Sequence, residues 1–218
     1  MELNGHVASQ TARVLVVDDH SAVRSGIEAL LAGEPDLEPV GAAGGAAEAL
    51  ALARQTRPDV AIVDFQLGDR DGLSLCRQLK ELPDPARVVV YSAFADGPLA
   101  LAGVIAGADG VVHKAALAGE LCDTVRAVAA GRTAIPPAPP AARAVVAARL
   151  DPDDLPILAM LLDGTDPEEI ARVLGMNPAW LAARRWAMLE CLRRLPTRRG
   201  VPAAADEDKD WPSGALPA

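Results

Sequence analysis

Acidic, hydroxyl and lysine side chains in this chain follow short, mostly apolar segments. These residues, each with its preceding segment, are Asp18 and Asp19 after 14–17, Asp64 after 60–63, Ser92 after 88–91 and Lys114 after 111–113. Runs of apolar, largely β-branched residues are typical of strands buried on both faces, as in parallel sheets. Carboxylates, a hydroxyl and an ammonium group are the side chains that phosphoryl chemistry requires.

Segments with helical periodicity separate these predicted strands. Their apolar residues are Val23, Ile27, Leu30 and Leu31, then Leu50 with neighbouring alanines, then Leu75, Cys76 and Leu79, and last Leu121, Val125 and Val128. Alternating strands and helices predict right-handed crossovers and a doubly wound sheet. The carboxyl ends of its strands share one edge, where ligands bind. The polar residues that follow the strands are therefore expected to meet there.

Three carboxylates in one place repel one another, and a hard divalent cation with oxygen ligands relieves that repulsion. Mg²⁺ is suitable, because it binds one or two carboxylates and keeps positions for water and a phosphoryl oxygen. Asp64 is then placed to act as a nucleophile that accepts a phosphoryl group, with Lys114 and Ser92 neutralising the product. Each residue alone also has an ordinary interpretation, as a helix cap or a solvated charge. Their order along the chain favours the interpretation as a site that accepts a phosphoryl group.

Residues 13–132 resemble a response-regulator receiver domain. The motifs that carry the resemblance are the acidic pair Asp18-Asp19, VDFQLGDRDG around Asp64, YSA with Ser92, and GADGVVHK ending at Lys114. The resemblance implies a flavodoxin-like fold with a doubly wound, five-stranded parallel sheet. It also implies phosphorylation by a cognate sensor histidine kinase. No enzymatic activity is expected beyond Mg²⁺-dependent self-phosphorylation and dephosphorylation.

The resemblance also implies which residues accept the phosphoryl group and which bind Mg²⁺. Asp64 would be the phosphoacceptor, and Asp19, Asp64 and the backbone carbonyl of Gln66 would bind Mg²⁺ directly. Asp18 would bind it through water. The phosphoryl oxygens would be held by Ser92, Lys114 and the backbone amides of Gln66 and Ala93.

Two positions depart from the family pattern. Gly68 stands where the family often has proline, which predicts a looser loop after Asp64. Val111 stands where the family commonly has an aromatic residue that switches between buried and exposed states. We therefore expect phosphorylation at Asp64 to be coupled to the distal face weakly or through another element.

A second domain is predicted after a linker. Residues 11–132 form the predicted receiver, and residues 133–149 form a Pro/Ala-rich linker, with a stiff extended part and a short helix over 141–149. Residues 150–200 contain three Asx-Pro helix-start signals, at Asp151, Asp166 and Asn177. The turn 175–177 between the last two helices predicts a helix-turn-helix. Residues 201–218 have the composition of a disordered acidic tail.

The sequence from LDPDD through ILAMLLDGTDPEEIARVLGM resembles a LuxR/NarL-type DNA-binding domain. A receiver followed by such a small all-α domain is the layout of NarL/FixJ-type regulators. That layout implies a transcription regulator that binds DNA as a homodimer. Arg184 and Arg185 are the predicted DNA contacts, because they flank the apolar stripe of the last helix and their guanidinium groups should be free to reach phosphates.

Two other interpretations of the last helix remain open. Residues 179–200 hold six arginines against Glu190, and such charges can simply form a solvated helix end that interacts with the helix dipole. The outward face carries Ala179, Ala183 and Trp186, which suit contact with a protein better than base reading. A degenerate helix-turn-helix that binds protein instead of DNA is therefore the alternative.

Composition predicts a cytoplasmic protein that does not enter membranes. The chain has 218 residues and a formal net charge of −9, so any attraction to nucleic acid must be local. Its first residues are polar and lack a signal-peptide core, and no segment is long and apolar enough to span a bilayer. The three cysteines are expected to fill apolar helix faces, and the three histidines, His6, His20 and His113, lack the spacing of metal ligands.

Overall fold

A computed structural model describes residues 11–68, 71–93 and 97–193. The predicted acidic tail and the last residues of the predicted second domain lie outside these ranges. No helix in the described part of the chain is long and apolar enough to cross a lipid bilayer.

The sheet has five parallel strands in the order β2-β1-β3-β4-β5, which confirms the predicted flavodoxin-like fold. The strands are β1 (Ala12–Val17), β2 (Leu37–Ala43), β3 (Val60–Asp64), β4 (Arg87–Ser92) and β5 (Gly110–His113). Every residue of β3 is buried, as expected for a central strand between two helical layers. The apolar segments did not indicate β2, because this edge strand is partly exposed and contains Pro39 and Gly41.

Helices cover both faces of the sheet. They are α1 (Ser21–Ala32), α2 (Ala46–Thr56), α3 (Gly72–Lys80), α4 (Gly97–Ala106) and α5 (Ala118–Ala129). Apolar residues from α1 and α5 pack on one face, and those from α2, α3 and α4 pack on the other. Helix α4 is apolar on nearly all sides. Such a helix must be buried, so its outer side needs apolar contacts as well as the side that faces the sheet.

The cover on the outer side of α4 comes from the C-terminal helices. These are α6 (Pro140–Ala147), a short 3₁₀ helix (Pro152–Asp154), α7 (Leu155–Leu162), α8 (Pro167–Val173) and α9 (Pro178–Arg193). Helix α4 contacts α6, α7 and α9, so the two parts of the chain share one apolar core. The predicted linker is therefore packed against the receiver: Ala134 pairs with Gly110 of β5, and α6 buries Val146.

The predicted helix-start signals act as caps. The Asp166 side chain accepts a hydrogen bond from the amide of Glu168 (2.8 Å), and the Asn177 side chain accepts one from the amide of Ala179 (2.8 Å). Asp151 accepts a hydrogen bond from Asp153 and begins the 3₁₀ helix. Between α8 and α9, Gly175 has φ +64°, which only glycine adopts without strain. These features produce the predicted helix-turn-helix.

Candidate functional site

The predicted carboxylates meet at the carboxyl edge of the sheet. Asp18 follows β1 and Asp64 ends β3, and these two residues are 1% and 5% exposed. Oxygen atoms of Asp18, Asp19 and Asp64 and a nitrogen of His20 all lie within 4.8 Å of one another. Burial of two carboxylates this close together is unfavourable unless positive charge lies nearby. The arrangement therefore calls for a cation.

Lys114 supplies positive charge at this edge. Its Nζ lies 2.6 Å from Oδ2 of Asp18 and 2.9 Å from Oδ2 of Asp64. Its amide donates a hydrogen bond to the carbonyl of Ser92 (2.8 Å), which ties the loop after β5 to the end of β4. Ser92 is 1% exposed and lies beside His113 in the strand register. The structure thus brings together the acidic residues, the hydroxyl and the lysine.

Burial and ion pairing both affect the ionisation of this site. Burial raises the pKa of the Asp64 carboxyl, although Lys114 and the amide of Gln66 act in the opposite direction. Partial burial opposes protonation of Lys114, but hydrogen bonds to Asp18 and Asp64 outweigh it and raise the pKa of the ammonium. The carboxylate of Asp64 is therefore poorly solvated and only partly neutralised, which suits a nucleophile that acquires a metal and a phosphoryl group.

We expect Asp64→Asn to stabilise the protein at pH 7 without divalent cations. The folded state raises the pKa of Asp64, so stability falls as the pH rises from the ordinary value of 3.8 through the raised pKa. The asparagine variant lacks this loss and should melt a few degrees higher at pH 7. The difference should disappear near pH 3. If the variant melts at a lower temperature than the wild type at pH 7, the claim that burial of the ionised Asp64 carboxylate destabilises the fold is contradicted.

The donor set fits a hard divalent cation. Asp18, Asp19 and Asp64 offer carboxylate oxygens, as Mg²⁺ prefers, and the Asp19 side chain is 32% exposed and so accessible from solvent. Gln66 follows Asp64 in an exposed position and pairs with Asp71 across the loop. Its amide hydrogen-bonds to the Asp64 carboxylate, in the place predicted for an amide that binds phosphoryl oxygen.

Sequence reasoning missed two residues at this site. His20 has its Nδ1 2.7 Å from Oδ1 of Asp19, although the spacing of the histidines did not indicate metal ligands. The signal available was its position directly after the acidic pair. The other is Gly72, where a Cβ atom would lie 2.0 Å from the backbone oxygen of Asp64. Only glycine allows α3 to approach β3 this closely.

Val111, which stands where the family commonly has an aromatic residue, is packed in the core. Val111 is 3% exposed, and its Cγ2 lies 3.2 Å from the place that a Cβ of Gly103 in α4 would occupy. Tyr91 is half-buried, with its hydroxyl 3.4 Å from the carbonyl of Lys114. Its ring lies 5.7 Å from the Lys114 ammonium. Tyr91 is thus an aromatic residue in contact with the site lysine.

The predicted DNA-contacting arginines face inward. Nε of Arg184 donates to Oδ1 of Asp154 (2.6 Å), and Nε of Arg185 donates to the carbonyl of Ile105 in α4 (3.0 Å). Burial lowers the pKa of the Arg185 guanidinium. The prediction that both guanidinium groups are free is therefore wrong for this arrangement, because α4 of the receiver covers Arg185 and the 3₁₀ helix of the C-terminal part pairs with Arg184. Trp186 also faces the receiver, with Arg77 of α3 4.8 Å from its ring centre.

Comparisons with known proteins agree with this geometry. The response regulator receiver domain family matches residues 14–126. The DNA-binding transcriptional activator DevR/DosR of Mycobacterium tuberculosis is 40% identical over 121 residues, which is 56% of each chain. The matched region thus spans about half the length of the curated relatives.

Solved structures show the same relationship. A two-component response regulator of the LuxR family from Aurantimonas is 33% identical, with a TM-score of 0.56, over 64% of this chain and 99% of that one. The RcsB–DNA complex, at 20% identity and a TM-score of 0.57, covers 84% of this chain and 92% of that one and shows likeness of fold alone. From the receiver match and the geometry around Asp64, the chain belongs to the response regulator family, and its relatives include regulators of the NarL/LuxR kind.

Proposed function

We propose that this chain is a two-component response regulator, phosphorylated on Asp64, which controls transcription through its helix-turn-helix. The observation that carries the proposal is the position of Lys114 between the buried carboxylates of Asp18 and Asp64, at the edge that also holds Ser92. A phosphoryl group on Asp64 would meet an ammonium group and a hydroxyl donor already in place.

In the proposed reaction, a carboxylate oxygen of Asp64 attacks the phosphorus of a phosphohistidine on a sensor histidine kinase. The new O–P bond forms as the P–N bond breaks, and the leaving histidine nitrogen is then protonated by solvent. A Mg²⁺ ion held by Asp19, Asp64 and the carbonyl of Gln66, with Asp18 bound through water, would neutralise the phosphoryl oxygens. Lys114 would exchange its contact with Asp64 for a phosphoryl oxygen, and Ser92 would donate to another. Attack by water on the phosphorus would reverse the modification.

DNA binding is supported by the fold of residues 150–193 and by the receiver's relatives. DevR/DosR is described as a DNA-binding transcriptional activator, and LiaR of Bacillus subtilis as a transcriptional regulatory protein. We extend that role to this chain, which would act as a homodimer. The domains would comprise residues 11–132 for the receiver, 133–149 for the linker and 150–200 for the DNA-binding part.

Contact with DNA requires α9 to leave the receiver. Arg185 is hydrogen-bonded to α4 of the receiver. Arg184 must also leave its pairing with Asp154 and Asp151, which lie in the C-terminal part itself. A cleft of about 730 Å³, lined by Arg77, Arg143 and Arg185 among others, lies between the two parts, so their interface is incompletely packed. Separation would expose the apolar residues of α4 that this interface covers, so it has a free-energy cost that another event must offset. Phosphorylation would favour the separated state if it weakens the contact between α4 and α9.

The test of the DNA role is a double substitution, Arg184→Ala with Arg185→Ala. We expect it to weaken binding about equally across DNA sequences and to flatten the dependence of log affinity on log salt by up to roughly two units. The matched control replaces the exposed Arg54 and Arg132 on the receiver and should leave the slope unchanged. Fluorescence anisotropy at several salt concentrations measures both. Equal slopes for the two double variants would overturn the assignment.

A second candidate function is docking onto another protein through α9. Trp180 is 48% exposed, and the guanidinium of Arg184 lies 5.4 Å from its ring centre. An exposed tryptophan beside an arginine is typical of a protein-binding anchor. If wild-type protein fails to bind DNA even at low salt while Trp180→Ala abolishes biological activity, this second function replaces the first.

A further inference from the structure

We propose that the cleft between the receiver and the C-terminal helices binds a small amphipathic anion, in which a monoanionic head group such as a carboxylate is attached to an apolar body. The guanidinium groups of Arg143 and Arg185 would hold the head group, and the apolar side chains of the cleft would cover the body. None of the residues that line this cleft belongs to the Asp64 site. The ligand is therefore distinct from the cation and the phosphoryl group proposed there.

The cleft has the size and the lining of a site for a small molecule. Its volume is about 730 Å³, and pockets of several hundred Å³ hold drug-sized ligands. Apolar side chains from the receiver, the linker and the C-terminal helices contribute to its wall, among them Leu101, Val104, Ile135, Leu162 and Leu189. A mostly apolar wall with a few polar groups is typical of ligand sites, because the apolar part supplies affinity and the polar groups fix orientation.

Both arginines are fixed through Nε. Nε of Arg143 donates to the carbonyl of Ala138 (3.1 Å), and Nε of Arg185 donates to the carbonyl of Ile105 (3.0 Å). A guanidinium held at Nε has a set orientation and keeps its terminal NH₂ groups for a second partner, which suits recognition of a carboxylate. Within residues 11–68, 71–93 and 97–193, neither guanidinium forms an ion pair with a carboxylate. An anionic ligand would supply that partner.

The charged residues around the cleft leave positive charge in excess. Four basic side chains and three acidic ones line it: Arg77, Lys80, Arg143 and Arg185, with Glu81, Asp109 and Asp166. Arg77 is paired with Glu81, and Lys80 is paired with Asp109. Nε of Arg77 is also a buried donor that lacks a hydrogen-bond partner in the described part of the chain. A single negative charge would therefore balance the lining.

Asp166 does not neutralise Arg185 fully. Its charge favours the protonated guanidinium, but its Oδ1 already accepts a hydrogen bond from the amide of Glu168 (2.8 Å). Burial outweighs this attraction and lowers the pKa of the Arg185 guanidinium. A partly buried cation without a close counterion is unfavourable, so binding of an anion beside it would be favoured.

Occupation of the cleft would affect DNA binding in the proposed regulator. An anion that contacts both the linker and α9 would stabilise the arrangement in which Arg185 lies against α4. It would thus oppose the separation that contact with DNA requires. This consequence rests on the proposed function, whereas binding of the anion does not, and the experiment below involves neither DNA nor phosphorylation.

The experiment uses the full chain and the fluorescent anion anilinonaphthalenesulfonate. The matched probe is phenylnaphthylamine, which has the same aromatic rings without the sulfonate. Titration followed by fluorescence gives the dissociation constant and the stoichiometry. We expect one sulfonate probe per chain, and binding of the uncharged probe that is weaker by roughly tenfold. Hexanoate should displace the sulfonate probe, whereas hexanol at the same concentration should not.

Substitutions locate the probe. Arg143→Gln and Arg185→Gln should each raise the dissociation constant of the sulfonate probe roughly tenfold, because each removes charged donors. The exposed Arg54 of α2 provides the control, and Arg54→Gln should bind as wild type does. Arg185→Gln also removes a bond between the two parts of the chain. Arg143 is bonded within the linker, so Arg143→Gln tests the site without removing such a bond.

The outcomes that overturn the proposal are specific. If either variant binds the sulfonate probe with wild-type affinity, the two guanidinium groups do not form the site. If the uncharged probe binds as tightly as the sulfonate, or if hexanol displaces as well as hexanoate, the cleft is an apolar pocket without preference for anions. Circular dichroism of each variant verifies that the fold is retained.

Discussion

Replacing Gly72 with alanine is expected to destabilise the protein strongly and to impair the Asp64 site. The added Cβ would lie 2.0 Å from the backbone oxygen and 2.9 Å from the backbone carbon of Asp64. Those atoms belong to a buried central strand, so the clash cannot be relieved by turning a flexible side chain. The hydrogen bond from the Gly72 amide to the carbonyl of Phe65 (2.7 Å) would be strained as well. We expect a loss of about 3 kcal/mol, or a melting temperature lower by roughly 10 °C.

The matched control for this substitution is Gly26→Ala. Gly26 lies inside α1, is exposed, and has no atom within 4 Å of the place its Cβ would take. Alanine there reduces the entropy lost on folding, so this variant should gain about 0.5–1 kcal/mol. Thermal melts of the two variants should therefore move in opposite directions. A Gly72→Ala variant that melts within a degree or two of wild type would contradict the described approach of α3 to β3.

The buried strands and their terminal residues could be predicted from the sequence. β3 is a continuous apolar run because both faces are covered, and Asp64 must then lie at the carboxyl edge. Strand β2 gave no such signal, because it lies at the edge of the sheet, is mostly only partly buried and contains Pro39 and Gly41. Helix α4 was also not recognised from periodicity, since a helix that is apolar on all sides lacks a polar face to alternate with.

The interface between the two parts of the chain could not be predicted from the sequence. A helical wheel places Arg185 at the margin of the apolar stripe of α9, where a long side chain can reach solvent or a neighbour equally well. The choice depends on α4, which presents the carbonyl of Ile105 to that guanidinium. Similarly, periodicity within α9 does not show that Trp186 lies against Arg77 of α3. Contacts between distant segments require the tertiary arrangement.

Asp64→Asn is expected to abolish phosphorylation completely. Asparagine has the shape of aspartate but lacks the anionic oxygen that forms the O–P bond. Asp64 is 5% exposed, and its Oδ2 lies 2.9 Å from Nζ of Lys114. Asp18 also contacts Lys114, but it follows β1 and is 1% exposed. The variant should remain folded, because the substitution removes a buried charge.

The central claim is that Asp64 accepts a phosphoryl group with the help of this cluster. The most direct measurement is intact mass spectrometry of the full chain after incubation with Mg²⁺ and a small phosphodonor such as acetyl phosphate. We predict one added phosphoryl group in the wild type and none in Asp64→Asn. Borohydride reduction of the acyl phosphate should locate the modification at residue 64. An unmodified wild type, or an Asp64→Asn variant labelled to the same extent, would contradict the claim.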